Sequence, residues 1–180
     1  MHPLSIFRFC PVCGGSHFEE NNFKSKRCAD CGFVYYFNPS SATVAVILNS
    51  RGEILVCRRG KEPALGTLDL PGGFVDCGET SEEGMLREIE EETALSVTPP
   101  HYLFSLPNTY MYSGLMVHTL DSFYLCRTTG SEAPKAMDDV AESFWLPVER
   151  LNPDEFGLNS IRKAVARIKQ SLVGGEWKEE

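Results

Sequence analysis

No apolar run in this chain approaches the roughly 20 residues that a membrane-crossing helix needs, and it contains no low-complexity tract or internal repeat. Its opening, MHPLSIFRF, is too short an apolar run for an export signal. These absences predict a cytoplasmic protein with no membrane partner. Basic charge is scarce: 17 Lys and Arg face 25 Asp and Glu, a net of −8 at pH 7. That balance disfavours nucleic acid, a polyanion, as a partner. It does not disfavour small phosphorylated molecules, because a metal ion can mediate that contact. Histidine is sparse, and His2, His17, His101 and His118 have no metal-ligand spacing, so none is given a catalytic role. What remains is an ordinary hydrophobic content of 42% over 180 residues. That is room for one full domain and a small module.

Acid, by contrast, is concentrated. The run Gly73 to Leu95, GFVDCGETSEEGMLREIEEETAL, places Glu88, Glu91 and Glu92 behind the turn Leu70-Pro71-Gly72-Gly73. On a helix these acids stand at i, i+3 and i+4, within one arc. Each like-charged pair costs roughly 0.2–0.5 kcal/mol even when exposed. The acids also fall in the last turn, at the negative end of the helix dipole. A divalent cation reverses the sign of the whole interaction, so the cluster reads as a hard-metal site for Mg²⁺ or Mn²⁺. A solvated acidic face is the plain alternative; the glycine turn and the dipole mismatch count against it. The helix itself is predicted over about 80–93. Thr80 and Glu83 fit a capping box, and Met85, Leu86 and Ile89 supply a face to dock on a core. Arg87 can pair with Glu83 or Glu91, one turn away.

This segment resembles the Nudix box, GX5EX7REUXEEXGU with U a bulky aliphatic residue. Gly73, Glu79, Arg87, Glu88, Ile89, Glu91, Glu92 and Leu95 fill its places. One position departs: Ala94 stands where the pattern has a glycine that ends the helix. A left-handed alanine would cost on the order of 1–2 kcal/mol, so a slightly shifted helix end is expected. The resemblance implies a hydrolase of a nucleoside diphosphate linked to another group. It implies that Glu88, Glu91 and Glu92 hold the metals, joined by the Gly73 carbonyl. It casts Glu91 as catalytic as well, Arg87 as orienting a carboxylate, and Glu79 as supporting the loop or a water.

A second cluster lies upstream. Cys10-Pro-Val-Cys13 and Cys28-Ala-Asp-Cys31 are two CxxC pairs fourteen residues apart, each followed by a glycine. This spacing fits a tetrahedral Zn²⁺ site, and Gly14 and Gly32 allow the tight turns that aim amides at thiolates. Two disulfides are the alternative, disfavoured in a reducing cytosol. Residues 1–37 carry four basic and three acidic side chains, a net of +1 that leaves −9 on the rest. A structural ribbon, or one that forms a homodimer, fits that charge better than a nucleic-acid reader. Cys57, Cys77 and Cys126 default to small buried hydrophobes, with Cys77 more exposed in the box loop.

Strands are predicted at 42–49, 53–58, 96–106 (broken by Pro99-Pro100), 116–127 and 142–147, with an amphipathic helix at 158–173. Strands with helices on two sides make an α/β/α sandwich; the resemblance implies the Nudix-type mixed sheet. The division is a zinc ribbon over 1–37 and a Nudix hydrolase domain over 38–180.

Substrate choice turns on residues 105–113, SLPNTYMYS. NADH pyrophosphatases join a similar ribbon to a Nudix domain and carry an SQPWPFPxS array ten residues past the box. Ser105, Pro107 and Ser113 match it, and Tyr110 replaces its phenylalanine. Leu106, Asn108, Thr109 and Met111 depart from it, so its tryptophan is gone. The domain that precedes the ribbon in that family is also not in this chain, which reads as a divergent, truncated relative. Ser105 and a base stacked on Tyr110 or Tyr112 are the expected substrate contacts; packing on the loop is the other reading for the tyrosines. Asp139 is chosen from Asp138, Asp139 and Glu142 as a metal-side acid or base, because Asp139-Val140 before Trp145 is similar to the family's run. Arg58 and Arg59 are candidates for phosphate, with strand alternation turning one of them away. The expected substrate is NAD(H)-like or ADP-ribose-type. The other readings are a nucleotide-sensing regulator whose ribbon contacts a partner, and a nucleoside triphosphate pyrophosphohydrolase.

Overall fold

Strands β1 (Phe18–Asn22), β2 (Ser25–Cys28) and β3 (Val34–Tyr36) form a three-stranded antiparallel sheet in the computed structural model, which describes residues 2–174. Its small core is Cys10, Phe18 and Cys28, with Phe33 packed on them. The boundary we propose, between 37 and 38, falls in the link to the next strand.

A second, six-stranded sheet takes up most of the chain. Its members are β4 (Ser40–Leu48), β5 (Ile54–Arg59), β6 (Leu68–Asp69), β7 (His101–Tyr112), β8 (Leu115–Arg127) and β9 (Val140–Leu146). The order is β6-β5-β4-β8-β7, with β9 also paired to β5. β4 and β8 run parallel and the other pairs antiparallel, so the sheet is mixed. β4 is apolar almost throughout because both its faces are covered. Val44, Val46 and Leu48 point into one core with Ile161, Val165 and Ile168. Ala45 and Ile47 point into the other with Met85 and Ile89. Helix α1 (Ser81–Thr93) covers one face and α2 (Asn159–Gly174) the other, giving the expected sandwich.

The box helix starts as its sequence predicts. The Glu83 N–H donates to the Thr80 hydroxyl, and the Glu83 carboxylate accepts from the Thr80 N–H. Its end does not shift. Ala94 adopts the left-handed conformation itself, with φ 54°, and its N–H reaches the Glu90 carbonyl. The helix geometry thus imposes on alanine the conformation the family gives to glycine.

The segment 101–112 differs from expectation. It is one long edge strand rather than a broken strand and a loop, turned back on β8 by a two-residue connection, Ser113-Gly114, in which both residues have positive φ. That is the tight hairpin geometry that suits the twist of the flanking strands. Pro107 is tolerated because β7 lies at the sheet edge, where a missing N–H breaks no ladder.

Candidate active site

The glycine turn runs alongside β4. The Ala45 N–H donates to the Pro71 carbonyl at 2.8 Å and the Thr43 N–H to the Gly73 carbonyl at 2.9 Å. This closeness explains Gly72, and the approach of α1 explains Gly73. A Cβ on Gly72 would stand 2.1 Å from the Thr43 carbonyl oxygen, and Gly72 has φ +145°. A Cβ on Gly73 would stand 2.5 Å from the Glu88 carboxyl carbon. The Glu88 carboxylate therefore rests on bare backbone at Gly73.

Arg87 organises the acids. Its Nε donates to Glu79 at 2.7 Å, one terminal nitrogen to Glu88 at 2.9 Å and Glu91 at 3.1 Å, and the other to Glu79 and the Phe74 carbonyl. Glu79 also accepts the Asp76 N–H. Glu83, engaged in the cap, takes no part. Hydrogen bonds from Arg87, then from Asp76, hold the Glu79 carboxyl down at about 2. Glu88 goes the other way: burial outweighs Arg87 and raises it. Glu92 makes one hydrogen bond, from the Gly72 N–H at 2.9 Å. Burial pushes it up to about 8, against that bond and with the charges of Glu88, Asp69 and Asp138 adding to the rise. Glu91 is half exposed and is held only by Arg87.

Glu88 and Glu92 line one cavity of about 340 Å³, together with Gly73, Arg58, Arg59, Tyr110, Asp138 and Asp139. Their burial without full compensation, and an oxygen-only donor set, fit a hard divalent cation. Arg58 and Arg59 both reach this cavity, because the β5–β9 register shifts between them and alternation fails there. Arg59 is held by Asp69 at 2.5 Å and by the Pro63 carbonyl, and Arg58 by the exposed Glu142. Tyr110 lines the wall; burial, then the charge of Asp121, raises its hydroxyl pKa. Ser105 and Tyr112 do not line the cavity: alternation along β7 turns Ser105 to the opposite face from Tyr110, and Tyr112 is exposed near the hairpin tip.

Asp139 and Asp138 divide the role expected of the first. The Asp139 carboxylate is paired with Lys61. Asp138 is the one whose charge bears on Glu88 and Glu92. The loop before β9 brings it there: the Lys135 and Met137 amides cap the Thr93 and Glu92 carbonyls at the end of α1, and Asp138 has φ 49°. Sequence reasoning passed over Asp138, and also Asp69, Thr43, Asn108 and Asp121. Only the Asp138-Asp139 pair and the LDLPGG run carried a signal for any of them.

The cysteines converge. The sulfurs of Cys10, Cys13, Cys28 and Cys31 lie within 4.8 Å of one another, the only such metal-ligating group among the described residues. Cys10 and Cys31 are 3.7 Å apart, Cys13 and Cys28 3.6 Å. A disulfide would need about 2.05 Å, so the disulfide alternative is set aside, and all seven cysteines are free. Burial raises the Cys10 thiol, but the amides of Cys13 and Val12 donate to it and bring it down to about 7. Cys13 is pushed up to about 12 by the surrounding sulfurs, against a hydrogen bond from Gly15. Four cysteine sulfurs converging in this way could hold a metal ion. Cys57 and Cys126 are buried and Cys77 is exposed.

A glycine turn under β4, a helix of acids tied by one arginine and a mixed sheet between two helices are the marks of a Nudix domain. The NUDIX domain profile matches residues 38–168, and the chain belongs to that family. It is 34% identical over 136 residues to the ADP-ribose pyrophosphatase of Methanocaldococcus jannaschii, covering 74% of this chain and 77% of that protein. It is 27% identical over 152 residues to the NAD-capped RNA hydrolase NudC of Vibrio vulnificus, covering 84% of this chain and 55% of that protein. The chain thus spans about half the length of the NudC relatives it matches. The solved NUDIX hydrolase from Nitrosomonas europaea has the same fold, with a TM-score of 0.71 at 19% identity over 93% of each chain. No helix among the described residues is long and apolar enough to cross a membrane.

Proposed function

We propose that this protein is a divalent-metal-dependent hydrolase of the phosphoanhydride bond in an ADP-ribose-type or NAD(H)-like substrate. The observation that carries this reading is one cavity holding both halves of the chemistry. Glu88 and Glu92 line it from α1, and Arg59, fixed by Asp69, lines it from β5. Glu88 and Glu92, with Glu91 one helical turn from Glu88, would hold Mg²⁺ or Mn²⁺, with the Gly73 carbonyl beside them. When bound, such an ion neutralises phosphate charge, polarises a phosphoryl oxygen and lowers the pKa of a water. Arg59 presents its guanidinium to a phosphate, and Arg58 supports it from the outer edge. Arg87 keeps Glu79, Glu88 and Glu91 in register. Glu91 uses one oxygen on Arg87 and has the other to offer to the ion. Asp138 is the nearer auxiliary acid, while Asp139, neutralised by Lys61, orders the loop. Tyr110 supplies a ring to a base, and the names of both relatives favour an adenosine-linked pyrophosphate.

The four cysteines we assign as the site of a structural Zn²⁺. A Zn–S bond of about 2.3 Å gives a tetrahedral sulfur–sulfur edge of about 3.8 Å, close to the 3.6 and 3.7 Å found. A panel of ADP-ribose, NAD(H), NAD-capped RNA, dinucleoside polyphosphates, sugar nucleotides and nucleoside triphosphates, each with Mg²⁺ and Mn²⁺, tests the function. The adenosine-linked pyrophosphates should show the highest kcat/KM. A preference for nucleoside triphosphates would refute the substrate class, and no turnover of any would favour the sensor.

A further inference from the structure

Between the ribbon and the β7–β8 hairpin lies a second cavity, an open groove of about 840 Å³. Alternation along the hairpin decides what faces it. Pro107, Thr109 and Met111 of β7 and Met116, His118 and Leu120 of β8 line the groove, whereas Tyr110 and Asp121, their chain neighbours, line the active-site cavity. The ribbon supplies Pro3, Ile6, Phe23 and Phe37, and the Phe37 ring meets His118 edge-on with centroids 5.5 Å apart. Lys24 is the only lysine or arginine among the lining residues, which include no carboxylate. The large apolar side chains here stand in water: Ile6, Phe23, Met111, Met116 and Leu120 are between 43% and 80% exposed. At about 200 Å² for a whole large side chain, they present on the order of 500 Å² of apolar surface. That is near the top of the roughly 300–600 Å² found for the largest patch on a monomer. It is also more than half of the roughly 800 Å² that each partner gives to a standard interface.

We propose that a second copy of this chain covers the groove, in a twofold dimer in which the Phe23 ring of each copy enters the groove of the other. Charge selects this occupant. A chain with a net charge of −8 repels a copy of itself over most of its surface, and a twofold contact sets a patch against the same patch. A patch without acids avoids that repulsion, and this one has none. A basic partner would be drawn instead to the acidic remainder of the surface. Shape agrees with charge. A self-complementary surface needs both a recess and a projection, and Phe23, 80% exposed on the turn between β1 and β2, stands beside the groove it helps to line. The proposal does not depend on the hydrolase reading. It gives the ribbon a role beyond its own folding, because the cysteine site holds in place the module that supplies one side of the groove.

The test is the mass of the full, zinc-loaded chain in solution, measured by sedimentation equilibrium over a range of concentrations. Wild type should have the mass of two chains and dissociate to one on dilution. Phe23→Glu puts two like charges at the contact, and the exposure of Phe23 means that no core is disturbed. It should weaken the dimer by about 100-fold or more, since the twofold axis repeats the substitution on both sides. Leu120→Glu, on the hairpin, makes the same test from the other module. Val173→Glu is the control: Val173 is 62% exposed and lies outside the groove, so the mass should not change. Zinc content and circular dichroism show that each variant is folded. Wild-type protein with the mass of one chain at every concentration overturns the proposal. So does a dimer that persists in both folded groove variants, which would place the contact on another surface. Neither result touches the hydrolase reading, which the substrate panel tests separately.

Discussion

Replacing Gly73 by alanine isolates the link between the glycine turn and catalysis. The added Cβ would lie 2.5 Å from the Glu88 carboxyl carbon, whereas ordinary contact begins at 3.4 Å, so the two groups must separate by about 0.9 Å. What gives way is the far end of a flexible side chain rather than backbone, so the fold should survive. The φ of Gly73 is not in the left-handed region, and alanine adds no strain there. A displacement near 1 Å at a reacting centre can lower turnover about 100-fold, or about 2.7 kcal/mol in the barrier. Gly72→Ala is the contrast. Its Cβ would meet the Thr43 backbone oxygen at 2.1 Å, at a φ alanine cannot easily adopt, so it should fail to fold or melt far lower. The assay is kcat and KM for ADP-ribose at saturating Mg²⁺, with thermal melts of both variants. Full kcat in a well-folded Gly73→Ala protein would refute the placement of Glu88 at the reacting centre.

Glu92→Gln keeps the Gly72 contact but should lower kcat by several orders of magnitude; turnover near wild type would remove Glu92 from the metal site. The same variant carries a pH signature. Because the Glu92 pKa is raised by burial from 4.5 to about 8, its contribution to stability is present below about 4.5 and is lost as pH rises through about 8. The midpoint of Glu92→Gln minus wild type, without added divalent metal, should therefore grow across that window and shrink when Mg²⁺ is added; a flat difference would contradict the burial. Ala94→Gly should stabilise by about 1 kcal/mol, the 1–2 kcal/mol left-handed cost less the greater unfolded-state freedom of glycine; a lower midpoint would contradict the left-handed cap. Elemental analysis should find one zinc per chain, and stripping it should unfold residues 1–37 first; a metal-free, folded ribbon would refute the assignment. Tyr110→Ala should raise the KM for ADP-ribose by an amount worth about 1–3 kcal/mol with kcat nearly unchanged; an unchanged KM would leave Tyr110 a packing residue.

Much of this protein was legible before any coordinates, because short-range rules wrote it. The capping box of Thr80 and Glu83, the doubly buried run of β4 and the amphipathic face of α2 are each set by neighbours within a few residues. The box residues and the four cysteines are read the same way, from spacing along the chain. Misreadings arose where a local rule met a tertiary constraint. The strand expected over 96–106, broken by Pro99-Pro100 and followed by a loop, is one strand over 101–112, and Pro107 is accommodated because that strand lies at the sheet edge. Alternation was expected to separate Arg58 from Arg59, but a register shift against β9 sends both to the cavity. Ala94 was expected to avoid a left-handed conformation that the helix end imposes on it. Asp121 carries no motif, and the sequence could not rank Asp138 against Asp139, since their chemistry comes from what faces them in the fold. The sequence by itself determined the helix of acids, the thiolate cluster and the layers of the sandwich, because each depends on periodicity or fixed spacing. Only the tertiary structure decided which carboxylates lose water and which arginine is braced, because desolvation depends on segments far apart in the chain folding against one another.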